Sequence, residues 1–88
     1  MSYIAKTTNN VITKNTTILA DGFSCLFFKN TGVDPVYIND NILITTGSSF
    51  SFDNMPYVTI GEPTTIMFGD TDANKKLLVI KTYFKPVK

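Results

Sequence analysis

The sequence predicts an all-β fold: a small, single-domain antiparallel β-sandwich of jelly-roll-like or Ig-like type. Three observations predict it. Of 88 residues, 28 are Ile, Val or Thr, whose branched β-carbons suit a pleated strand, while Ala, Leu and Glu together supply nine. Apolar and β-branched residues come in short bursts of about four to nine, each bounded by Asn, Asp, Gly or Pro. No stretch carries the 3.6-residue stripe of an amphipathic helix. A chain this short holds one core, so residues 1–88 are read as one domain.

The bursts place strands at residues 10–14, 16–20, 23–29, 35–38, 42–45, 48–53, 57–60, 64–69 and 77–85. Ahead of them, residues 1–9 form either an edge strand or an extended N-terminal arm ordered only against a neighbour. Asn30-Thr31-Gly32 closes the third strand, with Gly32 free to take positive φ. Asp34-Pro35 sets an extended entry into Val36-Tyr37-Ile38. Asn39-Asp40-Asn41 then makes a three-residue hairpin connection, in which Asn41 is the candidate for the left-handed conformation. Thr46-Gly47 separates that hairpin from Ser48-Ser49-Phe50-Ser51-Phe52, whose alternation points Phe50 and Phe52 inward.

Two strands raise the question of what covers their second face. The last one sets Leu78, Ile80, Thr82 and Phe84 on one side and Lys81, Tyr83 and Lys85 on the other, and reads as half-buried. In the third, Phe23, Cys25 and Phe27 alternate with Leu26 and Phe28, so both faces are apolar. Either this strand is central and covered on both sides, or one face meets another chain; since one small sandwich covers only one face of each sheet from within, a subunit or partner contact is favoured.

The composition removes most chemistries. Eight Lys balance seven acids to a net charge of +1, and Arg is absent, which argues against sequence-specific DNA readout by guanidinium forks. There is no His, and the single Cys25 sits in an apolar run as a small hydrophobe. The start of the chain lacks the basic-then-apolar pattern of a secretory signal, and no run approaches the ~18 apolar residues of a membrane helix, so the expected site of synthesis is a cytoplasm.

Candidate constellations fail on their details. Asp70-Thr71-Asp72-Ala73-Asn74 copies the opening of a calcium loop, but Lys75 stands where that loop needs Gly and Lys81 where it needs its bidentate Glu. Adventitious calcium at Asp70 and Asp72 is the most this supports. Asp21, Asp34, Asp40 and Asp53 all fall at turns, and the serines have no His to serve as base. No catalytic, cofactor-binding or metal residues are assigned, and the chain is read as a non-enzyme with no cofactor. Tyr83 with Lys81 and Lys85 could offer single-stranded nucleic acid a small stacking face, which keeps a single-strand-binding barrel or a carbohydrate-binding module as the alternative.

The stretch Lys29 to Phe52 joins an N-T-G turn at Asn30-Thr31-Gly32, a V-Y-I-N hairpin at Val36-Tyr37-Ile38-Asn39 and a G-S-S-F strand from Gly47 to Phe50. This phrase resembles one that recurs in small virion proteins of tailed bacteriophages. The whole chain is similar to the small auxiliary, or decoration, capsid proteins of crAss-like phages. The resemblance implies a structural protein made in a host bacterial cytoplasm and carried on the capsid surface of the virion. Its partner is the major capsid protein, with the protein itself as a further partner in a homo-oligomer. Such a protein works through interface area, for which the candidates here are Leu26, Phe28, Tyr37, Met55, Tyr57 and Tyr83, with residues 1–9 as a tether.

Overall fold

The computed structural model describes residues 2–69 and 74–87. Among these residues eight strands form: β1 (Tyr3–Ile12), β2 (Thr16–Ile18), β3 (Cys25–Asn30), β4 (Val36–Ile38), β5 (Ile42–Ile44), β6 (Ser49–Phe52), β7 (Thr64–Phe68) and β8 (Leu77–Pro86). They build two four-stranded sheets, a front sheet in the order β1-β8-β3-β6 and a back sheet in the order β2-β7-β4-β5. Every pairing is antiparallel. Apart from the β4–β5 hairpin, each connection crosses from one sheet to the other. Eight strands so connected make a jelly roll, which settles the choice between that fold and an Ig-like one.

Alternation along the strands fills the space between the sheets. Leu26, Phe28, Leu77 and Val79 point inward from the front sheet, and Val36, Ile38, Ile44, Ile66 and Phe68 from the back. Phe50 and Phe52 pack against this core as the alternation predicts, with the Phe52 ring edge-on to Phe28. Each such side chain stabilises the fold by about 1.5–3 kcal/mol through loss of apolar surface from water.

The upper end of the sandwich is held by polar groups. Asn30, fully buried at the end of β3, donates from Nδ2 to the carbonyls of Asp34 (2.7 Å) and Ile44 (3.0 Å), while its Oδ1 accepts the Gly32 N–H. Asp34 buries its carboxylate and holds the Lys75 ammonium at 2.9 Å, fixing the segment that leads into β8. Gly32 is required here for space. A β-carbon on it would lie 2.5 Å from the Asn74 carbonyl oxygen and 2.6 Å from the Lys76 nitrogen, whereas its φ is not left-handed, contrary to the turn-based expectation. Likewise the hairpin puts Asn39 (φ 52°) and Asp40 (φ 67°), not Asn41, in the left-handed region, and the Asn41 N–H closes the turn on the Ile38 carbonyl.

Three expectations are corrected at the level of elements. No strand forms over 57–60: Met55 to Val58 make a turn, and only the Ile60 N–H reaches across, to the Phe23 carbonyl. Pro56 and Gly61 bound a burst too short to pair. The first strand runs from Tyr3 rather than from residue 10, so residues 3–9 are an edge strand hydrogen-bonded to β8 and not a free arm. The inward face of β8 is its odd face, beginning with the buried Leu77 and Val79, which leaves Leu78, Ile80, Thr82 and Phe84 on the outer surface of the front sheet.

Candidate partner interface

The back sheet presents an apolar row to solvent. Tyr37 in β4 lies opposite Leu43 in β5 and opposite Met67 in β7, so the three side chains stand in direct cross-strand register on the outer face. They are 38%, 52% and 46% exposed. Their neighbours in each strand point inward and are buried or nearly so, which fixes the direction of all three. The Asn39 side chain accepts the Thr65 N–H and locks the lower end of the hairpin against β7. The row is therefore carried on a rigid support.

The front sheet carries a second apolar area. Phe27 pairs with Ile80, and Leu78 lies between Lys29 and Val11. These side chains are half-buried by one another, and Val11 is exposed. Both faces of β3 are thus apolar, with Cys25 and Phe27 outward, while Phe23, just ahead of the strand and expected on their face, is buried in the core with Leu26 and Phe28. Leu26 and Phe28, expected at a partner contact, are 0% exposed and belong to the core, because β3 sits between β8 and β6 with that face turned inward. A side chain with no accessible surface offers a partner no contact area.

The other candidates are dispersed. Met55 and Tyr57 project from the β6–β7 loop at the lower end, where Asn54 and Pro56 bond to Ser24. Tyr83 lies on the inward side of β8 below the core, its ring edge-on to Phe23 at 6.1 Å and its hydroxyl donating a long bond of 3.5 Å to Asp21 Oδ2. Burial, then the charge of Asp21, raise the Tyr83 phenol above its ordinary value of 10.0. Lys81 sits on the same side with its ammonium 5.5 Å from the centre of the Phe23 ring. Lys81 and Tyr83 therefore engage Phe23 and Asp21 rather than forming the outward basic-aromatic face read from the sequence. Leu43 and Met67 were not singled out by sequence. The hairpin centred on residues 39–41 does imply that Tyr37 faces Leu43, but the pairing of Met67 with Tyr37 joins strands about thirty residues apart and has no local signal.

A groove of about 820 Å³ runs down the side of the sandwich where the edges of β1 and β2 part, lined by Thr8, Asn10, Ile12, Thr16, Ile18 and Lys81 among others. Its lining is mixed, with Val11, Ile12, Ile18, Leu19 and Val79 beside the Thr, Asn and Lys side chains. Among the described residues no three acidic or sulfur side chains gather as metal ligands; Asp70 and Asp72 lie outside those residues. No protein-family model, no curated protein and no solved structure matches the chain.

Proposed function

We propose that this chain is a non-enzymatic structural protein of a phage virion, an auxiliary protein that decorates and braces the capsid shell. The observation that carries the reading is the Leu43–Tyr37–Met67 row, an exposed apolar surface with an aromatic centre held in register on a rigid sheet. Tyr is among the residues that anchor interfaces, since it buries a large ring and keeps a hydroxyl for the rim. The resemblance of the Lys29 to Phe52 phrase to one in small virion proteins of tailed phages, and of the whole chain to crAss-like auxiliary capsid proteins, points the same way. Weak contacts of this kind sum through avidity wherever subunits on the lattice are joined to one another. The partner is the major capsid protein, and the place of action is the virion surface.

The test is a quantitative protein inventory of gradient-purified particles, with and without Tyr37→Asp. A fixed ratio to the shell protein, lowered about 10-fold by the variant, is the expected result. Absence of the chain from particles refutes the reading. The groove supports a second one, a carbohydrate-binding module, because Thr8, Asn10, Thr16 and Lys81 line one cleft beside Ile12, Ile18 and Val79. Saturable glycan binding that Asn10→Ala abolishes and Tyr37→Asp leaves unchanged would select it.

A further inference from the structure

The front sheet ends in an edge unlike the other three. The edge strands β2, β5 and β6 have three, three and four residues, whereas β1 has ten. Short edges, charges, prolines and bulges are the usual defences against unwanted strand pairing. Tyr3 to Ile12 contains no proline and one charge, Lys6. The strand also outruns its support: β3 ends at Cys25 opposite Thr82, so residues 3–6 and 83–86 continue past it as a two-stranded ribbon, rooted where Tyr83 packs on Phe23. Two strands alone are marginal in water, and a third and fourth make the arrangement stable.

The hydrogen-bond phase of the free edge can be read directly. The Val87 N–H donates to the Ser2 carbonyl at 2.9 Å, which makes Ser2 and Val87 a hydrogen-bonded pair. Alternation then ties the even residues of β1 to β8 and turns the N–H and C=O of Tyr3, Ala5, Thr7, Asn9 and Val11 outward. Two features agree. Tyr3 faces Pro86, which has no N–H to give, and the carbonyl of Thr82, opposite Thr7, accepts the Ser24 N–H from the β3 side.

We propose that β1 is the seam of a two-fold homodimer, pairing antiparallel with β1 of a second copy about an axis at Thr7. Outward-facing odd residues must meet odd residues, which restricts the register. Centring on Lys6 sets the two ammonium groups opposite each other, and centring on Thr8 shortens the bonded overlap. Centring on Thr7 pairs Tyr3 with Val11, Ala5 with Asn9 and Thr7 with itself, for about ten main-chain hydrogen bonds. Lys6 then faces a Thr8 hydroxyl. The occupant is a second copy because the pairing serves both ribbons at once: residues 3–6 of each lie along residues 8–11 of the other, so each ribbon extends the partner's front sheet. It also joins the apolar rows of the two outer faces, placing Tyr3 of one copy beside Val11 and Leu78 of the other. The dimer does not depend on the capsid reading.

Sedimentation equilibrium of three proteins tests it. Wild type is expected at twice 9.8 kDa. Thr7→Pro removes an N–H that points away from β8, so it is expected at the monomer mass with an unchanged far-ultraviolet spectrum, whereas Thr8→Pro breaks a β1–β8 bond and lowers Tm instead. In a Cys25→Ser background, Thr7→Cys is expected to form an inter-chain disulfide on mild oxidation, since facing Cα atoms at such a pair lie about 5.5 Å apart. Thr17→Cys, on the edge strand of the other sheet, is not. A wild-type monomer at the highest soluble concentration, a higher oligomer, or a dimer in which Thr7→Cys fails to cross-link overturns the proposal.

Discussion

Asn30 shows how much one polar side chain can decide. Its amide satisfies two carbonyls and one N–H from the β3–β4 loop and the end of β5, so the upper end closes around it. Asn30→Ala takes this donor from the two carbonyls, while the Gly32 N–H keeps its bond to the Lys76 carbonyl, and is expected to cost about 2–4 kcal/mol, read as a Tm lowered by roughly 10–20 °C in a domain this small. A loss under about 1 kcal/mol would mean that water replaces the amide. Tyr83 gives a pH signature of the same local kind. Its phenol is raised, by burial first and by the Asp21 charge second, so the folded chain holds that proton more tightly than the unfolded one. The stability this contributes is complete below pH 10 and is lost as pH rises through the folded value. With Tyr3, Tyr37 and Tyr57 replaced by Phe, the tyrosinate absorbance should titrate above 10.0, and Asp21→Asn should lower the midpoint; a midpoint at 10.0 in both proteins refutes the assignment. Gly32 marks the limit of reading such positions from sequence. Its turn was legible, but the need for a missing β-carbon comes from Asn74 and Lys76, more than forty positions away.

Strands were legible where periodicity and punctuation agree. The hairpin of β4 and β5, bounded by Asp34-Pro35 and Gly47, is found within a residue or so of the expected positions, as is β7. Face assignment was harder, and β3 and β8 show why. Alternation separates Leu26 and Phe28 from Cys25 and Phe27 without saying which pair turns inward, because both are apolar. The inward choice is made by Asn30 and Leu77, which continue the buried faces into the polar knot at the upper end. Substitution separates the faces sharply. Phe28→Ala is expected to cost about 3–5 kcal/mol, as for a large ring deleted from a closed core, whereas Tyr37→Ala on the open face of the back sheet is expected to change stability by less than about 1 kcal/mol. Urea unfolding of the two variants checks this. Equal losses would place Tyr37 in the core and remove the surface on which the capsid reading rests.

At the scale of the molecule the ribbon sets the shape, an extent of 50 Å along one axis against 20 and 16 Å across. Such elongation is unusual for a chain of this size, because it exposes main chain that a rounder body would cover. The tail of β1 was legible only as a choice between edge strand and arm, since Thr7-Thr8-Asn9-Asn10 has little apolar content and its pairing with β8 closes the first and last strands of the chain. Stability should therefore be graded along the long axis. Amides of Phe28, Ile66 and Val79, buried between the sheets, exchange only on global unfolding, while those of Ile4, Lys6 and Lys85 in the ribbon open locally. In the monomeric Thr7→Pro protein the ribbon amides are expected to exchange at least ~100-fold faster than the core amides. In wild type at concentrations where the dimer prevails, the outward N–H groups of Ala5 and Asn9, unbonded in the monomer, should become protected. Protection of Ile4 and Lys6 without protection of Ala5 and Asn9 would show a ribbon that is stable by itself, and would remove the physical reason for a second copy at the β1 edge.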